Sequence, residues 1–124
     1  NLIEMKLEEL KIYNQSLVVS QRIYEQVSEW EWFHKKAIGD QLVRSADSVS
    51  ANIAEGYGRY YYKENKLFCY YSRGSLIETI TWIRKAKDRS LIESEVAAEI
   101  LEELLGLLSG LDAYIKSIGS NSRY

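Results

Sequence analysis

Proline does not occur in this sequence, and the seven glycines are thinly spread, so few positions interrupt a helix by a missing amide or a fixed ring. The single cysteine, Cys69, excludes an intramolecular disulfide. With one histidine, His34, the chain also lacks the Cys/His set of a zinc site, and no metal or cofactor is expected. A reducing cytoplasm is the expected setting. No apolar run approaches the roughly 20 residues that a bilayer requires, and the N-terminus lacks the basic-then-apolar layout of a signal peptide, so no membrane partner is expected. Asn1 stands in place of a methionine, so the sequence is expected to start after the initiator with a few residues missing. No low-complexity or Gly/Pro-rich linker divides the chain, and residues 1–124 are expected to fold as one domain.

What is present is helical periodicity in a chain with 46% hydrophobic and 27% charged residues. Leu10, Tyr13, Leu17, Tyr24 and Val27 recur at three- and four-residue spacing, which predicts a first helix over about 6–28, with Ser20 as its weak position. Trp30, Trp32 and Phe33 break that pattern and are read as rings closing one end of the core, with a partner site as the alternative, followed by a polar connection of His34, Lys35 and Lys36. Ile38, Leu42, Ala46, Val49 and Ile53 predict a second helix over about 37–55, ended by Gly56 and Gly58 through a left-handed cap. A third helix is predicted from about Tyr60 to Arg89, with Phe68, Cys69, Ser72, Ser75, Leu76, Thr79, Ile83 and Ala86 inward. Ser94 is the expected N-cap of a fourth, whose apolar face carries Ile100, Leu104, Leu107, Leu108, Leu111, Tyr114, Ile115 and Ile118. Four such helices with short connections predict an all-α, antiparallel up-down-up-down four-helix bundle.

Charge is unevenly placed. The net charge is only −2, yet residues 59–89 hold eight basic and three acidic side chains, a local +5 that leaves −7 for the remainder. On the third helix one stripe reads Lys63, Lys66, Tyr70, Arg73, Ile77, Ile80, Arg84 and Lys87, basic at its ends and apolar at its centre. Those cations, with Arg59, suit phosphates, and Tyr70 with the Tyr60, Tyr61, Tyr62 run offers rings for stacking on unpaired bases, so RNA or single-stranded DNA is the candidate ligand. The alternative is a solvated face that pairs with acidic residues of the fourth helix or of another subunit. Outward Ile77 and Ile80 favour a subunit contact.

Enzymatic chemistry needs a nucleophile beside a base, a paired acid and base, or metal ligands held in a cleft, and no such set stands out. His34 reads as a surface or packing residue and Cys69 as a small core residue. Glu99, Glu102 and Glu103 lie at solvent-like helix positions without the ExxH pattern of a di-iron bundle. The chain is therefore expected not to be an enzyme.

Residues 41–59 read QLVRSADSVSANIAEGYGR, and GSLIET follows at 74–79. These runs strongly resemble the signature of the four helix bundle proteins first noticed as products of intervening sequences in bacterial 23S rRNA genes. Weaker similarity covers LEELKIYNQS and the leucine-rich fourth helix. The resemblance implies an antiparallel bundle that assembles as a homopentamer, without known catalysis and loosely associated with nucleic acid. A related branch, the accessory variability proteins of diversity-generating retroelements, binds reverse transcriptase and nucleic acid through a basic surface; the acidic total here argues against it. The chain departs from the family pattern at Ser50, where proline is usual, and at Asp47, where an apolar residue is common. Within the motif, Asn52, Glu55, Gly56 and Gly58 are read as structural, Asn52 or Glu55 bonding to Arg44 or to amides around Gly56–Gly58; the alternative is that Asn52, Glu55 and Arg59 contact a ligand. A protein-interaction scaffold, serving an enzyme encoded nearby, is the second functional class.

Overall fold

The computed structural model describes residues 6–119, and among them there is no strand. Four long helices run α1 Lys11–Ser28, α2 Asp40–Tyr57, α3 Tyr62–Asp88 and α4 Ser94–Ser117. Each is packed on its neighbours in the chain, and α4 also packs on α1. No helix among the described residues is long and apolar enough to cross a membrane.

The core runs through all four helices. Aliphatic residues at the expected spacing fill it from α2 (Leu42, Val49, Ile53) and from α4 (Ile100, Leu104, Leu107, Leu111), all essentially inaccessible. Cys69, Leu76, Ile83 and Ala86 of α3 join them, as the sequence predicts.

The first helix differs from its predicted orientation. Its buried face is Ile12, Ser16, Val19, Ser20, Ile23 and Val27, whereas Leu17 and Tyr24 are 42% and 51% exposed. The turn of the helix is therefore displaced by roughly 90° from the hydropathic stripe, at about 100° per residue. Ser20 and Val27 lie on both faces, and the polar residue that the observed face adds is Ser16, whose Oγ donates to Tyr13 O at 2.6 Å as Ser20 Oγ does to Leu17 O at 3.1 Å. Hydroxyls satisfied by their own helix can be buried at little cost, so a helix face containing them reads as less apolar than it packs. The helix also begins later, because Leu10 is extended at φ −77°, ψ 111°.

Of the aromatic cluster only Trp30 is buried; Trp32 and Phe33 are 70% and 68% exposed and do not close the core. The expected polar connection is helical instead. A turn at Trp32–His34 passes into a π-type segment, Lys35–Gly39, and on into α2 without a break. Gly39 permits this path, since a Cβ there would lie 2.9 Å from Val27 Cγ1 on α1.

The glycine cap of α2 is also corrected. Gly58 sits at φ −78°, an ordinary right-handed value, and Gly56 is buried inside the helix. What Gly56 allows is close approach: a Cβ would meet Asn65 Oδ1 at 2.8 Å, Asn65 O at 2.9 Å and Phe68 Cβ at 3.0 Å. Left-handed geometry occurs at Ser90 instead, φ 60°, where Leu91 N donates back to Ala86 O at 2.9 Å and closes α3. Ser94 is the first residue of α4 rather than its cap, and Glu93 holds the cap position without a side-chain bond.

Small residues bring α2 and α3 together. Ser72 Oγ donates to Val49 O at 2.8 Å, Ser48 Oγ to Ser75 Oγ at 2.7 Å and Thr79 Oγ1 to Ser45 Oγ at 2.9 Å. Numbers rise along α3 as they fall along α2, so this pair runs in opposite senses. The same holds for α3 and α4, where Asn65 Nδ2 meets the Tyr114 hydroxyl at 3.4 Å and Arg73 meets Asp112 at 2.7 Å.

Candidate functional site

The basic stripe of α3 is not a continuous band. Arg73 Nε donates to Asp112 Oδ1 at 2.7 Å, which ties α3 to α4, neutralises the cation at the helix midpoint and raises its pKa through that hydrogen bond. Ile80, expected to face outward, is 5% exposed and belongs to the core; Ile77 remains 41% exposed. The hydropathic stripe failed here because Ile77 and Ile80 are three residues apart, and only one of them turns far enough inward to be covered.

Two clusters remain. At the start of α3, Lys63 and Lys66 make no ion pair among the described residues, and with Glu64, Leu67 and Tyr70 they line a shallow cavity of about 350 Å³. Around it stand exposed tyrosines: Tyr60 and Tyr61 edge to face with centroids 5.0 Å apart, and Tyr71 edge to face with Phe68 at 5.6 Å. Tyr71 and Leu67 were missed in the sequence because they lie off the chosen stripe. The second cluster, Arg84 and Lys87 with Lys85, lies about 30 Å further along the helix, at 1.5 Å per residue. Arg84 and Lys87 are exposed and without an ion pair among the described residues.

Arg59 belongs to neither as a free cation. Its guanidinium donates to Glu55 Oε1 at 2.7 Å and lies 4.7 Å from the Phe68 ring centroid, a salt bridge and a cation–π contact within the protomer. The motif residues act locally as well. Asn52 Nδ2 donates to Ser48 O at 2.8 Å in its own helix, and neither Asn52 nor Glu55 reaches Arg44 or the amides around Gly58. Arg44 lies beside Asp40 at 4.0 Å. The i,i+4 spacing of Glu55 and Arg59 was a legible signal for that pair.

A family profile described as 23S rRNA-intervening sequence protein matches residues 8–113 of this chain. The chain belongs to that family. Among curated proteins, none matches it. The matched span takes in α1, α2, α3 and most of α4, including both basic clusters.

Burial perturbs Cys69 and Tyr114, and it also raises the Asp47 carboxyl. Burial pushes the Cys69 thiol up to about 11, and burial raises the Tyr114 phenol as well. Both shifts favour the neutral form, which makes Cys69 a poor nucleophile near neutral pH. On α1, Arg22 is clamped by Glu99 and by Glu103, the latter at 2.7 Å, which holds α1 to α4 and raises the Arg22 pKa, first through the Glu99 hydrogen bond.

Proposed function

We propose that this family member is a non-enzymatic, self-associating protein, an antiparallel up-down-up-down four-helix bundle that holds single-stranded RNA or DNA at the tyrosine-rich start of α3. The observation that carries this reading is the mixture at that end: unpaired Lys63 and Lys66 among exposed Tyr60, Tyr70 and Tyr71. Lysines neutralise phosphates, and phenol rings stack on bases with little regard for sequence, at about 1–3 kcal/mol per base. Two lysines per protomer give weak contacts, and repetition around a homo-oligomer, a pentamer by family resemblance, makes them additive.

The test is the anisotropy of a labelled single-stranded RNA titrated with the full chain across a salt series. Binding at low salt should fall with a logarithmic slope of about 0.7 per neutralised phosphate. The Lys63→Glu/Lys66→Glu double variant should weaken binding and flatten the slope with helicity unchanged. Absence of binding at low ionic strength, or binding indifferent to the reversal, overturns the reading.

The internal neutralisation of Arg59 and Arg73 favours a second reading, a scaffold for a protein partner encoded nearby. On that reading charge reversal at Lys63, Lys66 and Arg73 abolishes partner capture, and nucleic acid does not bind at any salt concentration.

A further inference from the structure

Two glycines sit in the middle of long helices without any steric reason inside the protomer. Gly74 of α3 and Gly106 of α4 are both exposed, and a Cβ built on either meets nothing within 4 Å. The others in α2 and α4 differ: Gly56 and Gly110 each relieve a tight contact, with Asn65 and with Ile12 respectively. Glycine inside a helix is less stable than alanine, so an open one is useful only where a second backbone comes close.

The surroundings of the two glycines are complementary. Gly106 lies in a groove of about 660 Å³ between α1 and α4, with the exposed Val18 beside it, Lys11 and Arg22 on its α1 wall and three carboxylates on its α4 wall, of which Glu99 and Glu103 are held by Arg22 and Glu102 makes no ion pair among the described residues. Glu95 continues the acidic edge one turn earlier. Beyond Gly74, the outer face of α3 presents the exposed Ile77 and then Arg84 and Lys85. Register favours one direction, although in it Glu78, four residues past Gly74, comes level with Glu102, four before Gly106. If the two helices cross antiparallel at the glycines, Arg84 and Lys85, ten and eleven residues past Gly74, come level with Glu95, eleven residues before Gly106. Glu64, ten residues before Gly74, then comes level with Lys116, ten past Gly106. A parallel crossing would instead set Arg84 against Lys116, like against like.

We propose that the α1–α4 groove receives the outer face of α3 from a second copy of this chain, the helices crossing antiparallel at Gly106 of one protomer and Gly74 of the next. This rests on the self-association reading above. The two faces are different surfaces flanking α4, so the contact is heterologous, and its repetition turns about an axis toward a closed ring. Lys63, Lys66 and the surrounding tyrosines lie on the other side of Gly74 from the basic pair and stay available for nucleic acid.

The experiment is native mass determination and sedimentation of the full chain, the parent beside Gly74→Leu and Gly106→Leu. Open space at both sites keeps each variant folded, which urea unfolding checks. The expected result is that either variant weakens self-association at least tenfold. Arg84→Glu/Lys85→Glu and Glu95→Lys should each dissociate the assembly, and the combined reversal should restore it. An assembling parent whose glycine variants keep the parent mass, or a combined reversal that stays dissociated, overturns this interface alone. A parent that remains monomeric at every concentration overturns the self-association reading as well.

Discussion

Replacing Gly56 by alanine sets two opposing terms against each other at one site. Alanine is favoured inside a helix by about 1 kcal/mol, so on propensity alone the change stabilises α2. The added methyl would lie 2.8 Å from Asn65 Oδ1, 2.9 Å from Asn65 O and 3.0 Å from Phe68 Cβ, where ordinary contact begins at 3.4 Å. The Asn65 amide can swing only by giving up its bonds to the Tyr114 hydroxyl and the Cys69 thiol. The Asn65 carbonyl belongs to the α3 backbone, so relief also requires α2 and α3 to part by about half an ångström, a strain in the overpacking range of about 1–3 kcal/mol. That separation stretches the neighbouring Ser72–Val49 and Ser48–Ser75 bonds, now 2.8 and 2.7 Å. With the weakened hydrogen bonds adding about 0.5–1 kcal/mol to the strain, we expect a net loss of about 1–2 kcal/mol, which lowers Tm by about 4–8 °C in a chain of this size. Thermal unfolding followed by circular dichroism at one fixed protein concentration measures it, with Gly58→Ala as control. Gly58 has φ −78° and its nearest neighbours at 3.6 and 3.7 Å, so alanine there should change stability by less than about 0.5 kcal/mol. A Gly56→Ala variant as stable as the parent would refute the close-approach argument, and a large loss at Gly58 would refute the assignment of its backbone.

Further outcomes follow from the same geometry. The Cys69 thiol rises from 9.0 to about 11 on folding, so the folded state keeps a proton that the unfolded state loses. Stability is therefore unaffected below pH 9 and falls between pH 9 and 11, by at most about 1.4 kcal/mol per unit from this group. Urea midpoints across that range check the sign, and a Cys69→Ala variant should remove that part of the slope. A disulfide-exchange reagent at pH 8 should label Cys69 only on unfolding, because the residue is inaccessible. Ser90→Gly should raise the unfolding free energy by about 1 kcal/mol by relieving a left-handed serine, φ 60°; no gain in urea unfolding would contradict that conformation. Arg22→Met should cost no more than about 1 kcal/mol, because its carboxylate partners are well exposed, and the cost should vanish in about 1 M salt; a loss that persists would point to packing rather than charge.

The number of long helices and the inward faces of α2 and α4 were legible in the sequence, because aliphatic residues dominate those faces even though Ser45 and Ser50 share that of α2. Ile38, Leu42, Ala46, Val49 and Ile53 announce a buried stripe that needs no knowledge of the neighbours. The α1 face was not legible, because Ser16 is buried through a bond to the carbonyl three residues back and looks polar to any hydropathic count, while Leu17 and Tyr24 look apolar and lie outside. Reading Gly56 and Gly58 as a cap attended to backbone freedom, when the constraint at Gly56 was the proximity of another helix. The basic stripe was visible as composition, but its usable part was not. Arg73 is neutralised by Asp112, 39 residues away, and Ile80 is covered although Ile77 is not.

From its own residues the chain determined that it is helical, where the helices lie and that α3 is basic, since periodicity and charge are local properties of side-chain order. Only the tertiary structure decided which way α1 faces, which cations stay free and which glycines separate helices. Those outcomes depend on what lies across a few ångströms of space, and the linear order of residues does not specify that distance.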